Sequence, residues 1–303
     1  MRIALVGIGK IALDQHVPAI SSSLEWELAA TVSRHGGIAG VENFPGIDEM
    51  LAARPDIGAV SLCLPPVPRF DAARAVLRAG RHLMLEKPPG ATLAEVHVLR
   101  DLAEAHGVTL FATWHSRMAH GVAAARRWLA GRTVRGGRIT WREDVRKWHP
   151  GQDWIFEAGG MGVFDPGINA LSILTEILPL PPHVISAELD VPANRQAPIA
   201  ARLELSQGIR ADFDFRQQGP QSWDMALQTD AGCLELCMGG NMLWIDGRPA
   251  GGEDTIMGEY PALYARMAEL VRRRALDVDL SPLVLVADAF MLGRRNIVAP
   301  FTF

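Results

Sequence analysis

Lys87 stands in Leu83-Met84-Leu85-Glu86-Lys87-Pro88-Pro89-Gly90, after an apolar run and before two prolines. Successive apolar residues suit a parallel strand covered on both faces. Pro88 cannot donate to a sheet ladder and ends the strand. Lys87 is therefore expected at the carboxyl end of the sheet, where open α/β folds bind ligands. There it is a candidate for chemistry; by composition alone it is a surface lysine in a turn. Asp165 and Asn169 are spaced i, i+4 and share one face if their segment is helical. Asp165-Pro166-Gly167 sits awkwardly in a helix, since an interior proline costs roughly 3 kcal/mol. Either the helix begins at Pro166 with Asp165 as its cap, or it is distorted. Trp148-His149-Pro150-Gly151-Gln152-Asp153-Trp154 is an aromatic and polar loop. Its tryptophans either stack on a sugar ring or only anchor the loop.

These groups need elements to hold them. Ile3–Gly7 reads as a strand, and Gly7-Ile8-Gly9-Lys10-Ile11-Ala12 continues it as G-x-G-x-x-A. Gly7 allows a tight turn, Gly9 lets backbone approach a pyrophosphate, and Ala12 permits close helix–sheet packing. The amides of the next helix then face the phosphates. The second strand, Glu27–Val32, ends at Ser33-Arg34-His35 and lacks the Asp or Glu that holds an NAD ribose. Ser33 and Arg34 suit a 2′-phosphate, so NADP is expected to be preferred, with NAD also accepted. Ile57–Leu64 is a strand ending in Pro65-Pro66, and Ala72–Ala79 is helical. His82–Glu86 is a strand, Thr92 caps a helix running to His106, and Val108–Thr113 is a strand. His115 follows it and either faces the cleft or is a buried structural histidine. Strand and helix alternate over this half, which predicts α/β architecture with a doubly wound parallel sheet.

The pattern then changes. Gly121–Leu129 reads as a connecting helix, Arg138–Val145 as a strand and Gly160–Leu178 as helical. Val184–Val191, Ile199–Leu205, Ile209–Phe215, Trp223–Thr229, Cys233–Cys237 and Met242–Ile245 follow as strands joined by short turns. Such a run predicts a mostly antiparallel open sheet in an α+β domain. Pro261–Ala275 and Ser281–Arg295 read as closing helices.

Composition limits the function. The 303 residues are 49% hydrophobic and 21% charged with net charge −4, which argues against nucleic acid or an anionic membrane surface as partner. No apolar run reaches the roughly 18 residues of a membrane span. Met1-Arg2 leads straight into a strand, leaving no room for a signal peptide. Three cysteines without C-x-x-C spacing fit a reduced cytoplasm and suggest no metal site.

The G-x-G-x-x-A start, the Glu86-Lys87-Pro88 strand end and the Asp165/Asn169 pair together resemble the glucose–fructose oxidoreductase / inositol dehydrogenase / MocA family. Longer runs look like its aldose 1-dehydrogenase branch, acting on L-arabinose and D-galactose. They are Asp14-Gln15-His16, Thr113-Trp114-His115-Ser116-Arg117, Trp148-His149-Pro150-Gly151-Gln152 and Phe164-Asp165-Pro166-Gly167-Ile168-Asn169-Ala170-Leu171. The resemblance implies NAD(P)-dependent oxidation of an aldose at C1 to the lactone. It implies a dinucleotide-binding domain at 1–119, a substrate-binding and oligomerisation domain at 120–280, and a last helix, 281–303, returning to the first domain. A homo-oligomer built on the open sheet is expected.

The cofactor-binding set is then Gly7, Ile8, Gly9, Lys10, Ile11, Ser33, Arg34, His35, Pro65, Glu86 and Lys87. The substrate set is Lys87, His115, Glu143, Trp148, His149, Asp165 and Asn169, with Lys87, Asp165 and Asn169 catalytic. Much of the wider family has histidine, its usual base, where this chain has Asn169. A neutral amide cannot take a proton, so Asp165 and Lys87 remain the candidate bases. The C1 hydroxyl of a cyclic sugar is a hemiacetal and more acidic than a plain alcohol, so a modest base suffices. Another polyol or keto-sugar dehydrogenase, or a non-catalytic cofactor-binding regulator, would share the fold.

Overall fold

Six short strands make the first sheet: Arg2–Val6 (β1), Glu27–Val32 (β2), Glu42–Phe44 (β3), Ala59–Leu62 (β4), His82–Leu85 (β5) and Leu110–Ala112 (β6), all but the edge strand β3 rich in aliphatic residues. They are all parallel, in the order β3-β2-β1-β4-β5-β6. This is the doubly wound order that places ligands at the carboxyl ends of the strands, beside β1. The coordinates are a computed structural model that describes residues 1–253 and 258–303. The chain divides into two compact units.

The first unit is Met1–Trp114 with Tyr260–Asp279. Its core joins Val60, Leu62, Leu83 and Leu85 to Val76, Leu77, Leu99 and Ala103 of the covering helices. One of those helices runs Pro66–Arg78 and starts six residues before the predicted Ala72. Pro66 and Pro68 occupy its first turn, where the missing N–H groups have no helical partner to lose. The other, Leu93–His106, begins in the expected capping box: Thr92 Oγ1 accepts from Glu95 N at 3.2 Å and Glu95 Oε2 accepts from Thr92 N at 3.3 Å. β3 and the helix Ile47–Ala53 are further elements that the sequence reading passed over.

The segment that joins this unit from later in the chain is Tyr260–Asp279, not the last helix. Most of it is the helix Glu259–Arg273, which buries Tyr260, Leu263, Tyr264 and Met267. Its tail bonds to β6 through Ala112 N to Asp277 O at 2.9 Å and Asp277 N to Leu110 O at 3.0 Å.

The second unit is His115–Glu259 with Leu280–Phe303. Nine strands form its sheet: Val134–Arg142 (β7), Val184–Pro192 (β8), Ala200–Leu205 (β9), Ile209–Asp214 (β10), Ser222–Thr229 (β11), Gly232–Cys237 (β12), Met242–Ile245 (β13), Arg248–Gly252 (β14) and Arg294–Val298 (β15). The order is β14-β13-β12-β11-β7-β10-β9-β8-β15, antiparallel except where β7 meets β10 and β8 meets β15. The helices Val122–Leu129, Phe164–Ile177 and Ser281–Leu292 pack with one another and with this sheet. The last of them buries Leu283, Leu285, Val286 and Ala289 and leads into β15 as an edge strand. Its apolar face is thus used within the second unit. The exposed positions of β9 and β10 are charged, with ion pairs such as Arg202–Glu188 at 2.9 Å and Arg210–Glu204 at 3.5 Å, while β8 exposes Ile185 and Ser186. No helix among the described residues is long and apolar enough to cross a membrane.

Candidate active site

In the first unit the glycine turn follows β1. Gly7 has φ +88°, and a side chain there would press within 3.1 Å of the Cys63 and Leu64 backbone. Glycine is therefore required at that corner. A Cβ on Gly9 would meet nothing within 4 Å, so this backbone faces open space that a ligand can approach. Ile8 is half-buried, Lys10 and Ile11 are exposed, and Lys10 pairs with Asp14. Ala12–His16 is a wide π-helical turn that continues as the α-helix Val17–Ser21. Pro18 explains the wide turn, because it has no N–H to return to the carbonyl four residues back.

At the end of β2, Ser33 O accepts from Asn43 Nδ2 at 3.0 Å and Ser33 Oγ accepts from His35 N at 3.2 Å. Arg34 is exposed, with no hydrogen-bond or ion-pair partner among the described residues. Its guanidinium is available to an anion. Pro65 precedes the helix Pro66–Arg78.

Lys87 follows β5 and is half-buried; the Lys87–Pro88 peptide is cis. Glu86 beside it turns inward. It is 4% exposed, and its Oε1 receives His16 Nε2 and Tyr260 OH, each at 2.9 Å. Its Oε2 accepts from the Lys87 amide at 3.0 Å. The Glu86 carboxylate is thus engaged inside the protein, unlike the cofactor contact expected of it. His16 is fully buried, with Nδ1 2.7 Å from Tyr264 OH. Burial opposes a charge on its ring, but Cys63, Tyr264 and Glu86 face it, and its pKa lies well above the usual imidazole value. Burial pushes the Tyr264 hydroxyl up to about 12.

The other predicted site residues belong to the second unit. The helix bearing Asp165 begins at Phe164, with Val163 in the capping position. Asp165 is therefore not the cap. Pro166 falls in the first turn, where its missing N–H costs nothing. Gly167 lets this helix lie on the sheet, since a Cβ there would stand 3.0 Å from the Phe213 ring. Asp165 is 4% exposed and its Oδ2 lies 3.1 Å from His149 Nε2. Asn169, one turn on, is half-buried, and its side-chain amide has no hydrogen-bond partner among the described residues.

β7 ends at Arg142, sooner than predicted, because Asp144 caps a one-turn helix by accepting from Arg146 N at 3.0 Å. Glu143 sits at that joint, buried, with Oε2 accepting from Trp223 Nε1 at 3.0 Å. Trp223 lies 5.6 Å from Trp148 and 6.1 Å from Trp141, ring centre to ring centre. Trp148 donates to Gln221 Oε1 at 3.2 Å. The buried Trp141 indole N–H has no hydrogen-bond partner among the described residues. His115 is paired with Glu259, its Nδ1 2.6 Å from Oε2. The sheet and helix thus bring together Asp165 with His149, and Glu143 with Trp148 through Trp223. No metal-holding group of His, Cys, Asp or Glu occurs among the described residues.

The sequence reading did not single out His16, Arg69, Tyr260, Tyr264, Trp141 or Trp223 for this site. His16 ends the run Asp14-Gln15-His16, and Trp141 and Trp223 each precede a charged residue, Arg142 in β7 and Asp224 in β11. Those were the only signals.

The profile of the GFO/IDH/MocA oxidoreductases, a family with an NAD-binding Rossmann fold, matches residues 1–113. The whole chain is similar to a galactose 1-dehydrogenase of Pseudomonas fluorescens, 45% identical with 99% of this chain and 98% of that protein covered. A crystal structure of D-galactose-1-dehydrogenase from Rhizobium etli superposes with TM-score 0.94 and 51% identity, over 99% and 97% of the two chains. A 3-ketoreductase from Actinomadura kijaniata, solved with NADP and TDP-benzene, shares the fold at TM-score 0.82 and 18% identity, over 100% and 99% of the chains. Glycine turn, Glu-Lys-Pro strand end and full-length relatives agree, and the chain belongs to the GFO/IDH/MocA oxidoreductase family.

Proposed function

We propose that this chain oxidises C1 of an aldopyranose, L-arabinose or D-galactose, to the aldonolactone, with NADP preferred over NAD. The observation that carries the reading is the pair of buried Asp165 and half-buried His149, one helical turn from the Asn169 amide, which has no hydrogen-bond partner among the described residues. It offers a proton acceptor with its own partner, and a group that can orient a neighbouring hydroxyl. The galactose 1-dehydrogenases to which the chain is similar support the choice of sugar.

In this reading C1 loses hydride, O1 loses its proton, and the C1–O1 bond becomes the lactone carbonyl. The bound nicotinamide supplies the hydride acceptor. Gly7 to Ile11 hold the pyrophosphate, with Arg34 and Ser33 at the 2′-phosphate. Asp165 takes the O1 proton, with Lys87 the alternative base. Asn169, Glu143 and His149 bind ring hydroxyls, and Trp148 stacks on the sugar. The first unit binds cofactor and the second binds sugar. The three unbonded cysteines suit the cytoplasm, and the charged sheet of the second unit is the surface proposed for a homo-oligomer. Absorbance of reduced cofactor with a panel of aldoses, and identification of the lactone, test the reading. Reduction of NADP by polyols but by no aldose would overturn it.

A further inference from the structure

Behind Lys87 lies a buried polar cluster. Glu86 Oε1 receives His16 Nε2 and Tyr260 OH, while Oε2 receives the Lys87 amide. His16 is held from its other side by Tyr264 OH at 2.7 Å, with Ser61 Oγ at 3.5 Å. Arg69, 3% exposed, donates through one nitrogen to the carbonyls of Glu86 and Pro88, and through the others to Leu64 O. The peptide that leads into Lys87 is therefore held at both ends, its carbonyl by Arg69 and its N–H by the Glu86 carboxylate, and Arg69 also holds the carbonyl of Pro88 beyond it.

Stability alone is a poor account of this cluster. A buried ion pair seldom stabilises more than apolar residues of the same volume would. What the cluster adds is direction, since its bonds converge on the residue that leaves β5.

We infer that His16 and Tyr260 are positioning residues for Lys87, acting through the Glu86 carboxylate, with Arg69 fixing the flanking carbonyls. The inference rests on the proposed reaction for the role of Lys87. The groups facing His16 are Glu86 just after β5, Ser61 in β4 and Cys63 just after it, and Tyr260 and Tyr264 from the helix Glu259–Arg273. Removing the His16 side chain takes one donor from the Glu86 carboxylate, which is then free to turn and to release the Lys87 amide that it holds.

The test uses the full chain with His16→Leu, His16→Gln and Tyr260→Phe, and has two readouts. Steady-state kinetics should show kcat for His16→Leu about tenfold lower, with the KM for NADP within about twofold, as for an interaction made in the transition state. His16→Gln, which keeps a donor for Glu86, should recover most of that loss. Pulse acylation followed by peptide mass spectrometry reads Lys87 without substrate. In His16→Leu its labelling rate should change by about threefold or more as its placement changes, while Lys10 and Lys147, the only other lysines, keep their rates. Unchanged kcat and unchanged labelling in folded His16→Leu would overturn the inference. So would a rise in the NADP KM at constant kcat, which would assign the cluster to the cofactor site. If His16→Leu does not fold, Tyr260→Phe decides. A kcat lowered by about threefold or more at constant NADP KM supports the inference, and an unaltered kcat overturns it. Wild-type protein inert to every aldose would sink the proposed function, and the labelling would still read the cluster.

Discussion

His149 Nε2 lies 3.1 Å from Asp165 Oδ2, and His149 Nδ1 lies 3.3 Å from Gln152 Oε1. A helix that starts at Phe164 and a loop that follows β7 meet at this pair. A carboxylate so placed can accept a proton and share it with the imidazole. Asp165→Asn keeps the shape and a hydrogen bond to His149 while removing the basic oxygen. Turnover should fall by about 10² to 10⁴, the usual contribution of a general base, with the melting curve little changed. A variant that keeps wild-type turnover would leave Lys87 as the base.

Arg34 stands exposed at the end of β2 without a hydrogen-bond or ion-pair partner among the described residues. Losing one charge-assisted contact costs roughly 1.5–3 kcal/mol, so Arg34→Ala should raise the KM for NADP about tenfold or more. NAD kinetics should barely move. Equal loss with both cofactors would assign Arg34 to structure.

Lys87→Ala should abolish turnover and leave NADP affinity nearly intact, because the pyrophosphate is assigned to the turn after β1. Fluorescence titration of bound NADPH checks the second half. A variant keeping more than about a tenth of wild-type turnover would take Lys87 out of the mechanism.

Stability should depend on pH through His16, whose pKa in the fold is raised well above its ordinary value of 6.5. A group raised on folding stabilises the protein fully below its unfolded value and loses that contribution as pH rises through the folded one. The difference in unfolding free energy between wild type and His16→Leu should be largest just below pH 6.5 and shrink toward alkaline pH. Denaturant titrations across that range measure it, and a difference that grows with pH would contradict the assignment.

The Rossmann half was legible because each of its signals is local. The glycine turn, the capping box at Thr92 and the apolar run before Lys87 each specify their own backbone. The cluster behind Lys87 was not legible, because His16 and Tyr264 meet across 248 residues of sequence. Asp165-Pro166 misled for a simpler reason: Pro166 is tolerated in the first turn as readily as at the start, so the helix begins two residues earlier. Two closing helices are amphipathic enough to cover a sheet, and no pattern within them tells which unit each joins. The pairing of Asp277 with β6 and of β15 with β8 decides that. The loop from Trp148 to Trp154 suggested a sugar site, but only the register that sets Trp223 opposite Trp141 brings Glu143 to the Trp223 indole.

The most direct measurement compares D-galactose with D-glucose, its C4 epimer, as substrates with saturating NADP. A site that hydrogen-bonds a hydroxyl rejects a sugar that misplaces it, because its own buried polar groups are left unpaired. Galactose and L-arabinose should give lactone with concomitant cofactor reduction, and kcat/KM for glucose should be lower by about tenfold or more. Glucose matching galactose in kcat/KM, or cofactor reduction without lactone, would contradict the account.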